Sequence, residues 1–288
     1  MDYSLLYRKY KIKYLNIANG GATTSLNTPI SFTIKGERMP CVVVLDASDP
    51  RLLSSAHQIF STLFGKSADE IGCTEDIPDP SPRLKRKYVC FGPKREVRQP
   101  GTVQMEQCNR SVDDGQVEEI IQDTTRLFEA YLTDQKIQIT GSGHVTKVNG
   151  EIPFIEAHRY ASHSECPVPR MPFTWHRDDY AATTFPTYTA IYYLYKSESS
   201  DVSFLGGSLQ CAFPEDTVDL DNGTGSDITI EVHQNLDRSG KMYNIYTIPA
   251  KTGRIILMRG DVLHTPTELL ETCHGCRDSV VVQIARSV

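Results

Sequence analysis

The chain has 288 residues, 39% apolar and 23% charged, with a formal net charge of −6, the balance of an ordinary globular protein with room for one large core. That charge gives no overall attraction to nucleic acid or to anionic membranes. No apolar run approaches the ~18 residues of a membrane helix, and the start, Met1-Asp-Tyr-Ser-Leu-Leu, lacks the apolar stretch of a secretion signal, so the expectation is a soluble, cytoplasmic protein.

In chain order, residues 3–19 and 30–46 mix aromatic and β-branched residues, and Ser31-Phe-Thr-Ile-Lys and Cys41-Val-Val-Val-Leu read as strands. Asp49-Pro50 opens a helix with a capping carboxylate and a first-turn proline. Leu52, Leu53, Ala56, Ile59, Phe60, Leu63 and Phe64 follow at helical spacing. Residues 67–82 read as an acidic loop. Arg83, Lys85, Arg86, Lys87, Lys94, Arg95 and Arg98 then form a basic cluster, read first as a solvated strand face and second as a contact for an anionic substrate or a nucleic acid. A second helix starts at Asp113-Asp114, with Val117, Ile120, Ile121, Thr124, Leu127, Phe128, Tyr131 and Leu132 on one stripe.

Beyond that helix the period becomes alternating. Short strands are predicted at 136–140, 144–148, 153–160, 173–180, 188–195, 207–213, 228–232, 243–248, 253–259 and 278–286, with the Asp-, Gly- and Ser-rich stretch 214–242 a solvated loop or lid around the strand at 228–232. Two helices ahead of many short strands predict a mainly β, α+β fold: a jelly roll over 151–288 buttressed by an N-terminal α+β region over 1–150, the two forming one integrated domain. Eight cysteines are scattered along the chain, and only Cys273-His-Gly-Cys276 is closely spaced. A lone CxxC lacks the four ligands of a closed zinc site, so free thiols are the first reading and a Cys273–Cys276 redox pair the second.

The chemistry centres on Trp175-His176-Arg177-Asp178-Asp179. In an extended segment alternate residues share a side, so His176 and Asp178 project together while Arg177 and Asp179 face away with Trp175. One imidazole and one carboxylate need one further ligand to hold a metal on one face, the two-His-one-carboxylate arrangement of non-haem Fe(II) oxygenases. His264, after the turn at Gly260-Asp261, is the candidate. On the last strand Arg277 and Ser279 share a face, and an arginine there offers a bidentate fork to a carboxylate.

The ordered set His176-x-Asp178, His264 and Arg277-x-Ser279 resembles the Fe(II)- and 2-oxoglutarate-dependent dioxygenases with a double-stranded β-helix core. Ile191-Tyr-Tyr-Leu-Tyr195, followed by Gly206-Gly-Ser-Leu-Gln-Cys-Ala-Phe-Pro-Glu215, is similar to the strand pair of their prolyl hydroxylase type. The resemblance spans residues 153–286. It implies that His176, Asp178 and His264 bind iron, that Arg277 holds the distal carboxylate of 2-oxoglutarate with the Ser279 hydroxyl beside it, and that Tyr193 and Tyr160 lie near the cosubstrate. It implies oxidative decarboxylation of 2-oxoglutarate to succinate with O2, ascorbate being a supporting reductant. The carboxylate at Asp178 favours oxygen-based oxidation over the halogenation of relatives that lack it.

The expected substrate is a small molecule such as an amino acid or natural product, with a peptide as the alternative and no nucleic acid or membrane partner. A non-catalytic 2-oxoglutarate-binding barrel and a cupin-like enzyme using the same ligands are the competing classes. His158 shares a side with Tyr160 by strand parity and so faces the same way.

Overall fold

The computed structural model describes residues 29–47, 50–64, 84–89, 108–109, 112–137, 154–162, 175–178, 187–194, 207–221, 227–234, 236, 240–267 and 275–285. The described chain is mostly antiparallel β-sheet with two α-helices, α1 (Ser54–Phe64) and α2 (Asp114–Tyr131). The strands are β1 (Ile30–Ile34), β2 (Val42–Asp46), β3 (Leu84–Val89), β4 (Cys108–Asn109), β5 (Phe154–Ser162), β6 (Thr187–Tyr193) and β7 (Leu209–Pro214), followed by β8 (Val218–Asp221), β9 (Thr229–Gln234), β10 (Met242–Ile248), β11 (Arg254–Arg259), β12 (Leu263–Pro266) and β13 (Gly275–Ala285). They form a nine-stranded sheet, β4-β3-β5-β13-β6-β11-β2-β1-β8, and a four-stranded sheet, β12-β7-β10-β9. Among the described residues no helix is long and apolar enough to cross a membrane.

Both helices cover one face of the large sheet. A short 3-10 turn, Pro50–Leu53, leads into α1, which buries Ala56, Ile59, Phe60 and Leu63. Asp113 caps α2 by accepting from the Gln116 amide at 2.8 Å, satisfying one of the orphan N–H groups of the first turn. The α2 stripe of Val117, Ile120, Ile121 and Phe128 joins α1 in one apolar cluster with Val43, Leu45, Ile155, Ala157, Tyr188, Ala190, Tyr192, Val280, Val282 and Ile284 from the sheet. Within this apolar layer the Thr124 and Tyr192 hydroxyls share a hydrogen bond of 2.7 Å, so neither is left unsatisfied. Burial, which outweighs the Thr124 hydrogen bond, pushes the Tyr192 phenol well above its ordinary value.

The residues between these face the small sheet. Phe32, Val42, Val44, Tyr193, Ile256 and Met258 pack with Leu209, Cys211, Phe213, Tyr246 and Ile248. Phe32 of β1 bridges the sheets, stacked on Phe213 at 6.1 Å and edge-on to Tyr246 at 5.1 Å, offset and T-shaped geometries that suit aromatic quadrupoles. The buried thiols Cys41 and Cys211 are free; burial raises Cys41 to about 12 and holds Cys211 well above an ordinary thiol, which leaves both poor nucleophiles.

Several expectations shift. The stretch 214–242, read as a loop apart from one strand, holds a second one: β8 leaves β7 through a turn with Asp216 at φ 61 and pairs with β1, so the chain passes there from the small sheet to the large one. Aspartate tolerates that backbone better than most residues. The predicted strand at 173–180 is, over its described residues 175–178, a single bridge at His176 followed by a bend. Residues 84–89 of the basic cluster form β3 beside β5; the rest of that cluster, the acidic loop, the strand at 144–148, most of that at 136–140, and Cys273 lie outside the described residues.

One buried ion cluster was not foreseen. Arg254, 1% exposed, donates through Nε and Nη2 to Asp46 at 2.7 and 3.0 Å, through Nη2 to Asp227 at 3.0 Å, and through Nη1 to the Pro249 carbonyl at 2.9 Å. Lys251 adds a contact of 3.4 Å to Asp46. Burial alone would raise the Asp46 carboxyl, but the hydrogen bond and charge of Arg254, with Lys251, outweigh it and hold it below the usual carboxylate range. Stability from this group is whole above the ordinary carboxylate pKa of about 4 and fades as pH drops through the depressed value. Arg254→Ala, which leaves Asp46 and Asp227 with only the longer contacts of Lys251 at 3.4 and 3.9 Å, is expected to cost about 3 kcal/mol in urea unfolding at pH 7. Asp46→Asn is expected to flatten the loss of stability as pH falls below about 4.

Candidate metal centre

His176 and His264 face each other across a two-residue bridge. The His176 amide donates to the His264 carbonyl at 3.0 Å, and the His264 amide returns the bond at 2.9 Å. Their rings lie 4.3 Å apart, inclined at 53°. The backbone of His264 is fixed by β12, which pairs with β7 so that His264 stands opposite Cys211. Trp175 packs on the far side, with Ala212, Tyr243, Ile245 and Leu263, and this alternation turns His176 inward.

Asp178 completes the group. Its Oδ1 lies 3.8 Å from His176 Nε2 and its Oδ2 3.8 Å from His264 Nε2. One ligand atom from each of the three residues falls within 4.8 Å of the others. Metal–ligand bonds of about 2.1 Å at right angles place donors about 3.0 Å apart, so closing on an ion requires the two His–Asp pairs to contract by about 0.8 Å and the His176–His264 pair by up to about 1.8 Å. His176, with 48% of its side chain exposed, has room to make that adjustment, whereas Asp178 and His264 are fixed at 7% and 6%.

Two contacts prepare the fixed ligands. The Val262 carbonyl lies 3.0 Å from His264 Nδ1, which places the ring proton on Nδ1 and turns the Nε2 lone pair to the centre. Burial, opposed by the Asp178 charge and this backbone bond, lowers the His264 pKa, so the imidazole is neutral and able to ligate at lower pH than an ordinary histidine. The Thr189 hydroxyl of β6 donates to Asp178 Oδ2 at 2.6 Å, tying the small-sheet ligands to the large sheet. The donor set and its orientation fit a divalent metal with one face of its coordination sphere left open.

Thr189 was not singled out from the sequence. It does lie four residues before Tyr193 on the same strand, so the parity that turns Tyr193 inward turns Thr189 inward too.

The other predicted residues fall on neighbouring strands. Ser279 of β13 lies opposite Tyr193 of β6 and His158 of β5; Ser279 and Tyr193 are 1% and 2% exposed. The backbone of Arg277 stands opposite that of Tyr160, one step along the same strand pair. Tyr192, adjacent to Tyr193, belongs to the helix-side cluster instead.

No family model and no curated protein matches this sequence. Among solved structures, similarity extends to a prolyl 4-hydroxylase of Phytophthora capsici (16% identity, 60% of this chain and 43% of that one, TM-score 0.32). It extends also to a Trichoplax adhaerens prolyl hydroxylase in complex with a hypoxia inducible factor oxygen degradation domain peptide fragment (12% identity, 99% and 93%, TM-score 0.39), and to a putative oxygenase of Shewanella oneidensis (13% identity, 85% and 82%, TM-score 0.39). This chain's match spans less than half of the first of these proteins.

The geometry gives Thr189 the task of holding Asp178 toward the two histidines. Thr189→Val, which keeps the shape and removes the donor, is expected to weaken Fe(II) or Co(II) affinity by about ten-fold and, by leaving the buried Asp178 short of a donor, to lower the stability of the metal-free protein by about 2 kcal/mol. Metal titration followed by absorbance or calorimetry reads the difference.

Proposed function

We propose that this protein is an Fe(II)- and 2-oxoglutarate-dependent oxygenase that hydroxylates, or otherwise oxidises, an unactivated carbon of a small molecule such as an amino acid or natural product. The single observation that carries the reading is the convergence of His176, Asp178 and His264 between the two sheets. On this reading the strands of residues 151–288 form the body of a double-stranded β-helix core, with β1 and β2 of the N-terminal region built into its large sheet and the two helices packed on it.

His176, Asp178 and His264 hold the iron, which when bound supplies O2 activation coupled to decarboxylation of the 2-oxo acid. Arg277 and Ser279 receive the distal carboxylate, with Tyr193 and Tyr160 beside it. The balance is one 2-oxoglutarate, one O2 and one C–H converted to succinate, CO2 and C–OH. Val262 and Thr189 keep His264 and Asp178 oriented through the cycle. Val42, Ile256, Met258 and Leu209 form part of the apolar layer between the two sheets.

Succinate release from 2-oxoglutarate, with Fe(II), ascorbate and a panel of amino acids, measures this directly. Asp178→Ala is expected to bring succinate formation to background. Arg277→Ala is expected to raise the 2-oxoglutarate KM by at least about ten-fold. Bound iron with no succinate from any substrate, and no slow uncoupled turnover, would sink the proposal.

A further inference from the structure

The small sheet ends on β9, which pairs with β10 on one side and, among the described residues, with nothing on the other. Its register is regular over six residues, from Thr229 opposite Thr247 to Gln234 opposite Met242, with no bulge. Such an edge presents a row of backbone N–H and C=O groups, and folds usually blunt it with a lysine, a proline, a bulge or a very short strand. Thr229-Ile-Glu-Val-His-Gln234 has none of these. The other described edges are blunted: β4 has two residues, β8 has four with aspartates at 219 and 221, and β12 is met by His176.

The side chains of β9 are as open as its backbone. Three large apolar side chains stand exposed among the described residues, Ile230 at 53%, Val232 at 54% and Met242 at 37%. Strand parity puts Ile230 and Val232 on one face, and Met242, opposite the position two beyond Val232, lies on the same face. Glu231 and His233 alternate with them on the other face, both more than half exposed. The strand is also anchored before any partner arrives. Asp227, two residues ahead of it, accepts from the buried Arg254 at 3.0 Å, so little ordering is left to be done on association.

We propose that β9 is the contact by which two copies of this chain associate, antiparallel and edge to edge, about a two-fold axis at Val232. The strand's own sequence selects that register. With the axis there, Glu231 stands opposite the partner's His233, and symmetry forms the same pair a second time. Each pair sets a carboxylate against an imidazole, which carries an N–H donor in either tautomer. On the other face Val232 meets its own copy, with Ile230 diagonal to it, so the apolar residues of the two edges shield one another from water. Moving the axis by one residue instead sets Glu231 against its own copy, or His233 against its own. A strand that complements its own reverse favours a second copy over an unrelated peptide. The two four-stranded sheets then run on as one of eight strands. This pairing does not depend on the oxygenase reading.

The contact is small, and interfaces under about 1,200 Å² are weak and reversible, so the test follows mass against concentration on the full-length protein. Sedimentation equilibrium between about 5 µM and about 500 µM is expected to show the mass rising from that of one chain toward twice that value. Val232→Lys, at an exposed position outside the metal centre, sets two like charges opposite each other. It is expected to hold the mass at one chain throughout, with metal affinity and unfolding temperature unchanged. Glu231→Lys or His233→Glu alone is expected to weaken association about ten-fold, and the two together to restore it, because the double exchange again puts a cation opposite a carboxylate. A wild-type mass that stays at one chain, as an edge that takes some other partner would give, overturns the proposal. Association that survives Val232→Lys, or that the double exchange fails to restore, overturns it as well.

Discussion

The candidate centre depends on two backbone hydrogen bonds, those by which His176 and His264 exchange amide and carbonyl. They join segments far apart in the chain, and neither segment adds a longer ladder there: among the described residues the contact is an isolated bridge. An exchange of this kind contributes only about 1 kcal/mol per bond, too little to hold a loop alone. Its neighbours supply the rest. Trp175 is packed on one side of the small sheet, and Asp178 is bonded to Thr189 of the large sheet on the other. The His-x-Asp segment is thereby pinned at both ends of a four-residue span, with its ligands between the sheets.

That pinning explains how buried polar groups survive in an apolar interior. A carboxylate as enclosed as Asp178 needs donors, and it meets the Thr189 hydroxyl with two imidazoles 3.8 Å away. A bound cation would complete the charge balance. Arg254 solves the same problem differently: its guanidinium is enclosed, but two carboxylates and a carbonyl meet it with fixed geometry. One polar cluster is closed by its own ion pairs and serves the fold; the other brings two imidazoles and a carboxylate together between the sheets.

The large sheet separates these duties by strand parity. Tyr192 and Tyr193 are neighbours, yet one is sealed among the helices with Thr124 and the other lies between the sheets beside Ser279. The same alternation sends Ile155 and Ala157 to the helices and Glu156 and His158 to the inner face. Because the side-chain period of a strand is two, a slip of one residue in β5, β6 or β13 would exchange the polar and apolar sets. The buried valines and isoleucine of β13 on the helix side are what fix that register.

Much of this was legible in the sequence because it is local. Helical spacing of Ile59, Phe60 and Leu63 and of Val117, Ile120 and Ile121 gave both helices and their buried faces. Alternation gave most of the later strands, and two-residue spacing paired His176 with Asp178. Thr189, Arg254 and β8 were not legible, since each takes its meaning from a partner on a distant strand: Asp178, Asp46 with Asp227, and β1. The sequence by itself determined the residue types and side-chain parities a metal centre needs. Only the tertiary structure decided that His264 meets His176 and that His158 shares a row with Ser279, because strand pairing between remote segments is set by the packing of two whole sheets.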